Sequence, residues 1–342
     1  MATLEIVATE ARPLTGFRNR RVIAIVAAAA LVAAGAVVGA TLIQTRGERT
    51  TVPGAVTKPQ PGNPPLKLDF GLDTSAEARA LTQAQALYNA NHVAQAAAIF
   101  ARYHSLEAQI GSAYAAWSKN GLATMKSLAA AHPASTVALL HLGIADYWAG
   151  QNADAVAEWE KTAQVGADSP YGVAAQDLLH PTMKIPGLPY VVLDFGTPPA
   201  ISKLPGAQQL AALARAAAKP NPRAKLLYGS ALWSLQHPLS AEKQFAAAAK
   251  LAPHDPLART AAAVGLFTKA DPVKAFSRLG PLTGVFPRAA VVRFHLGLLL
   301  LWSGQRKKAI EQLRLAAADD PNSSYAEDAR RLLSRLPDTR SK

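Results

Sequence analysis

The chain has 342 residues, 50% hydrophobic, 17% charged and only 6% aromatic, with 36 Lys plus Arg against 23 Asp plus Glu and a net charge of +13. So much apolar material excludes wholesale disorder and suffices for two packed blocks. The absence of cysteine excludes disulfides, thiolate metal sites and cysteine nucleophiles, while the basic excess raises nucleic acid or an anionic membrane as partners.

Taken in chain order, residues 1–21 form a short tail carrying Arg12, Arg18, Arg20 and Arg21. Residues 22–43 contain no charge and no proline. At about 1.5 Å rise per residue such a run crosses a hydrocarbon core of about 30 Å, and it is longer than the apolar stretch of a cleaved secretory signal. It predicts a single transmembrane helix. The arginines before it outweigh Arg46, Arg49 and Lys58 after it, which predicts a cytoplasmic N-terminus and an extracytoplasmic remainder. Gly35 and Gly39 form a small-xxx-small pair through which two anchors could make a homodimer, although so Ala- and Gly-rich a run yields such pairs by composition alone. Residues 44–66 hold Pro53, Pro59, Pro61, Pro64 and Pro65, and are predicted to be a semi-extended spacer.

Beyond residue 66 an internal repeat emerges. Gly143 is followed by Ala155 and Trp159, Gly229 by Ala241 and Phe245, and Gly297 by Ala309 and Leu313, so that an Ala comes twelve residues after each Gly and a large apolar residue sixteen after. Small residues on two antiparallel helices let the backbones approach, and the bulky residue one turn later fills the gap beside them. This pattern resembles the tetratricopeptide repeat family, which implies an all-α solenoid of helix-turn-helix units and a protein-binding role. Weaker hairpins centre on Ala84 with Phe100, on Gly111 and on Gly265. His141, Gly143, Trp148, Gly150 and Tyr171 recur 154 residues later as His295, Gly297, Trp302, Gly304 and Tyr325. Leu87, His92, Ala96 and Phe100 recur 145 residues later as Leu232, His237, Ala241 and Phe245. The chain therefore reads as a duplicated block of three hairpins, residues 67–180 and 206–342, separated by a Pro-rich connector at 181–205. Within that connector only Tyr190 to Phe195 has the composition of a short strand, and a helix over 206–218 leads into the second block. Asp146 stands where the repeat usually has an apolar residue.

Leu-Asp-Phe-Gly occurs at 68–71 and again at 193–196. Without a glycine-rich phosphate loop or a catalytic His-Arg-Asp it is a turn leading into each block, not a kinase magnesium motif. No two of the eight histidines have the spacing of a helical metal site. His141 and His295, equivalent by duplication, read as groups satisfied within their hairpins. No catalytic residues, metal site or cofactor are predicted.

The best functional signal is a pair of helices apolar on nearly every side, which must be covered on every side. Val137, Leu140, Ile144 and Tyr147 in the first block, and Val291, Phe294, Leu298 and Leu301 in the second, are predicted to face a concave groove. Two readings stay open: a groove for an apolar or amphipathic segment of a partner protein, or permanent cover by the blocks themselves, the connector or a second subunit. Charge divides unevenly, four negative in excess over 67–181 and thirteen positive in excess over 182–342. The few aromatics of the second block argue against nucleic acid and leave lipid headgroups, an acidic envelope polymer or an acidic protein. The layout resembles bacterial membrane-anchored tetratricopeptide proteins, which implies a scaffold or adaptor in envelope assembly or secretion. Alternatives are a chaperone for exported chains and a regulatory subunit of a membrane enzyme complex.

Overall fold

A computed structural model describes residues 58–336. The N-terminal tail, the expected transmembrane run 22–43 with its glycine pair, and most of the spacer lie outside the described residues. Among those described, no helix is long and apolar enough to cross a membrane.

The described residues form an all-α array of helical hairpins. The first block pairs α1 (Ala76–Asn89) with α2 (Val93–Phe100), α3 (Leu106–Ala115) with α4 (Trp117–Ala131), and α5 (Thr136–Trp148) with α6 (Asn152–Val165), and closes on α7 (Pro170–Leu179). The connector holds one turn of helix, α8 (Pro199–Ser202), before α9 (Gly206–Ala217). The second block pairs α10 (Pro222–Ser234) with α11 (Pro238–Leu251), α12 (Pro256–Val264) with the broken pair α13 (Val273–Leu279) and α14 (Leu282–Val285), and α15 (Ala290–Trp302) with α16 (Arg306–Asp319), and closes on α17 (Ser324–Arg335). Each block has its own core, one built from residues between Leu66 and Leu178, the other from residues between Val191 and Leu332.

Local chemistry explains where the helices start and stop. Ser75, Ser105, Ser135, Ser169 and Ser323 each cap a helix by accepting from the backbone N–H three residues on, which satisfies a donor that the helix cannot. Within the first and third hairpins the chain turns through one left-handed residue: Asn91 (φ 66°), Gly150 (φ 81°), Gln236 (φ 60°) and Gly304 (φ 73°). Each such turn returns two N–H groups to the end of the first helix, as Gly150 to Tyr147 at 3.0 Å and Gln151 to Asp146 at 2.8 Å, a Schellman closure.

The repeat residues meet inside these hairpins. A Cβ placed on Gly143 would lie 2.5 Å from Trp159 Nε1 and 3.0 Å from the Ala155 carbonyl. One on Gly229 would lie 2.7 Å from the Phe245 ring, and one on Gly297 would lie 2.8 Å from Leu313 Cγ and 3.3 Å from the Ala309 carbonyl. Phe245 is wedged against Gly265 as well, and Phe100 against Gly111, so one ring packs between successive hairpins.

Several features depart from a uniform array of hairpins. The middle hairpins are irregular: Asn120 breaks helical geometry inside α4 (φ −148°, ψ 18°), and the matching helix of the second block is split into α13 and α14. The added length of the second block goes largely into α11, 14 residues against 8 in α2. Residues 190–195 form no strand, and the chain bends at Asp194 and Phe195. The spacer expected to end at residue 66 instead runs into the first block, where Leu66 is fully buried. Both departures have one cause, which lies on the inner face of each block.

Candidate functional site

In each block the first helices of the hairpins line one face, and across it lies an extended strap of the chain itself. In the first block four successive backbone N–H groups of the strap each find a side chain. Leu66 donates to Asn89 Oδ1 at 3.0 Å, Lys67 to His141 Nε2 at 3.1 Å, Leu68 to Gln85 Oε1, and Asp69 to the Tyr171 hydroxyl at 3.0 Å. The acceptors alternate between α1 on one side and α5 and α7 on the other, as the period-two geometry of an extended chain requires. Asn89 Nδ2 donates back to the Leu66 carbonyl at 2.9 Å, Tyr88 donates to Pro64 O at 2.8 Å and Tyr171 to Asp69 O at 3.2 Å. Leu66 and Leu68 are buried in the block's core.

The second block repeats the device. Val192 N–H donates to His295 Nε2 at 2.9 Å, Tyr325 donates to Val192 O at 3.1 Å, and Trp233 Nε1 donates to Pro189 O at 2.6 Å. Trp233 thus does at Pro189 what Tyr88 does at Pro64. Val191 and Leu193 enter the core as Leu66 and Leu68 do.

The two histidines have their proton placed by their partners. His141 Nδ1 lies 2.7 Å from the Val137 carbonyl and His295 Nδ1 lies 2.7 Å from the Val291 carbonyl. A carbonyl only accepts, so Nδ1 carries the proton, and Nε2 is left as the acceptor that the strap's N–H needs. Burial holds both rings down at a pKa of about 4. The Tyr114 hydroxyl donates to the His141 carbonyl at 2.7 Å, and its ring meets the imidazole edge-on at 5.4 Å.

The residues expected to line an open groove share their cores with the straps. Val137, Leu140, Ile144, Val291, Phe294 and Leu298 are buried, and Tyr147 and Leu301 are half-buried. Leu66 and Leu68 belong to the same buried core as Val137, Leu140 and Ile144, and Val191 and Leu193 to that of Val291, Phe294 and Leu298, while Tyr147 and Leu301 pack against those cores and stay partly exposed. The chain's own strap residues therefore share the cores on which an open groove was expected. Gln85, Tyr88, Asn89, Tyr171 and Tyr325 were not singled out as ligands of the strap. The available signal was the shared spacing Pro64-x-Leu66-x-Leu68-Asp69-Phe70 and Pro189-x-Val191-x-Leu193-Asp194-Phe195. Among the described residues no group of three His, Asp or Glu is placed to hold a metal.

The two blocks touch one another. The Asp168 carboxylate accepts from Ser240 N at 3.0 Å and from Ser240 Oγ at 2.5 Å, and His237 Nδ1 lies 2.8 Å from the Asp168 carbonyl. Lys269, 4% exposed, pairs with Asp177 at 2.5 Å and donates to Ile185 O at 2.7 Å. The same carboxylate accepts from Gly187 N at 3.0 Å, which fixes the connector just before the second strap.

No protein-family model matches the sequence, and no curated relative does. Among solved structures, the chain is similar to YrrB, described as a TPR protein with an unusual peptide-binding site (15% identity, 76% of this chain and 100% of that one, TM-score 0.27). It is similar also to the TPR2AB domain of yeast Sti1 in a complex with pHSP90 (14% identity, 77% and 98%, TM-score 0.28) and to yeast Tom70 (10% identity, 82% and 66%, TM-score 0.30). At these identities and scores the hairpin geometry above, and not the likeness, defines the fold.

Proposed function

We propose that the chain is a membrane-anchored scaffold which holds protein segments in extended conformation on the first-helix faces of its two blocks, and that it acts by binding and not by chemistry. One observation carries this: the four consecutive N–H groups of residues 66–69 are each read by a side chain of the first block. Such contacts recognise an extended backbone of almost any sequence, while the buried alternate residues supply selectivity. The straps are then resident ligands, and a partner's segment enters by displacing one. The apolar run 22–43 and the arginines before it support a single-pass anchor with the blocks outside the cytoplasm, a placement that favours envelope assembly or secretion.

Competition tests this. Leu66→Asp with Leu68→Asp should expel the first strap, after which a labelled synthetic peptide of residues 60–72 should bind saturably to the full-length variant and not to the wild type. Adding His141→Phe should weaken that binding. If the double variant loses its helical circular dichroism, Leu68→Ala serves as the milder opening. A helical variant that leaves the peptide unbound overturns the reading.

A further inference from the structure

The first helices touch one another and hold the straps, so the second helices of the hairpins form the opposite, outer face of each block. In the second block that face is made by α11, the broken pair α13 and α14, and α16. Together they expose seven Lys and Arg side chains and a single carboxylate, Glu311. Lys243 and Lys250 stand two turns apart on α11, Lys274 and Arg278 one turn apart on α13, and Lys307 and Arg314 two turns apart on α16. Among the described residues only Lys274 of these has a carboxylate at ion-pair distance, Asp271 at 3.7 Å. The matching helices of the first block expose three bases and two carboxylates. The hairpin architecture therefore does not itself call for the bases.

Apolar side chains stand among them. Val273 is 67% exposed and Val285 53% exposed, on the short helices α13 and α14. No aromatic side chain of this face is exposed, whereas single-stranded nucleic acid is bound by stacking bases on such rings. Bases in excess with aliphatic tips between them match an interface of anionic headgroups over hydrocarbon.

We propose that the outer face of the second block docks on the anionic surface of a lipid bilayer. The inference stands on charge and exposure and is independent of what the inner faces hold. The lysines and arginines meet the headgroups, and Val273 and Val285 reach the headgroup boundary. The first block, with its near-neutral outer face, stays off the surface.

The chain contains no cysteine, so one introduced thiol can be labelled uniquely. Ser277 on α13 and Ser127 on α4 are both exposed. A fluorophore on the full-length Ser277→Cys protein should be quenched by nitroxide headgroups in vesicles of phosphatidylcholine mixed with phosphatidylglycerol. It should not be quenched in phosphatidylcholine alone, and high salt should abolish the effect. The Ser127→Cys label should stay unquenched throughout, which separates docking of this face from mere anchoring of the chain. Each base at such a surface contributes about fivefold to partitioning, so Lys243→Glu, Lys274→Glu and Lys307→Glu together should weaken it about a hundredfold or more. Absence of quenching in both lipids, equal quenching of both labels, or quenching indifferent to salt would overturn the proposal. A response to soluble polyglutamate or to an oligonucleotide, with none to vesicles, would assign the face to a macromolecule instead.

Discussion

His141 Nε2 accepts the backbone N–H of Lys67 across 74 residues of sequence at 3.1 Å, and its duplicate His295 accepts that of Val192 at 2.9 Å. In both, Nδ1 is committed to the carbonyl one turn back in the same helix. Protonating Nε2 would set a second donor against the strap's N–H. The folded pKa of about 4 lies below the ordinary imidazole value of 6.5. Above about pH 6.5 the stabilisation is therefore complete, and it is lost as the pH falls toward 4, by up to roughly 3 kcal/mol for each ring. Urea midpoints measured from neutral pH down to the folded pKa should fall accordingly, and His141→Gln with His295→Gln should flatten the profile. A wild-type midpoint constant over that range would contradict burial of both rings in the neutral form.

Asp146 works in the opposite direction. Its side chain is buried, with Lys126 Nζ 3.5 Å away, and burial pushes its pKa up to about 6. A raised carboxylate pKa weakens the fold above that pH and relieves it as the pH falls. The duplicate position holds Leu300, 7% exposed. Asp146→Leu should therefore stabilise the protein at neutral pH by about 1 kcal/mol, with the exposed Lys126 turning to solvent, and the gain should shrink near pH 5. A gain independent of pH would assign the effect to packing alone.

Gly143 and Gly284 make a matched pair. A methyl on Gly143 would collide with Trp159 and approach the Ala155 backbone, while one on Gly284 meets nothing within 4 Å. Gly143→Ala should cost about 1–3 kcal/mol by overpacking, and Gly284→Ala should be neutral or mildly stabilising. Thermal denaturation of the two variants side by side checks this.

The Gly143, Ala155 and Trp159 spacing was legible in the sequence because all three belong to one hairpin, and a close helix–helix contact dictates residue size at fixed intervals. The same holds for the 154-residue offset between His141 and His295. The straps were not legible. Their partners lie far along the chain, and prolines such as Pro64 and Pro189, which exclude helix and central strand, mark a linker as readily as an extended segment in a groove. The apolar residues on α5 and α15 declared that they needed a cover. Only the path of the backbone identifies the cover as residues 64–70 and 189–195.

Gln236 adopts φ 60° at the first turn of the second block, where the first block has Asn91. Asn tolerates this left-handed geometry better than Gln, and glycine adopts it freely. Gln236→Gly should raise stability by roughly 0.5–1 kcal/mol, the entropy of the unfolded chain offsetting part of the gain. Asn91→Gly should change it less. Denaturant midpoints that fall in the glycine variant would indicate a stabilising role for the Gln236 side chain.

Lys269 ties three segments together: Asp177 at the end of the first block, Ile185 in the connector, and its own position after α12 in the second block. Its side chain is 2% exposed, so the ammonium depends on these partners in place of water. Lys269→Ala would leave Asp177 with only the Gly187 N–H and open a gap between the blocks, a loss of about 3 kcal/mol by analogy with other broken buried pairs. Lys269→Met keeps the stem's packing and should cost less. Since the contact holds the connector just before the second strap, the first effect should be local. Limited proteolysis should cut Lys269→Ala within residues 181–190 well before global unfolding, and the wild type should resist at the same protease concentration. If Lys269→Ala unfolds in a single step with no early cleavage there, the pair stabilises the two blocks as one unit and does not act as a clasp on the connector.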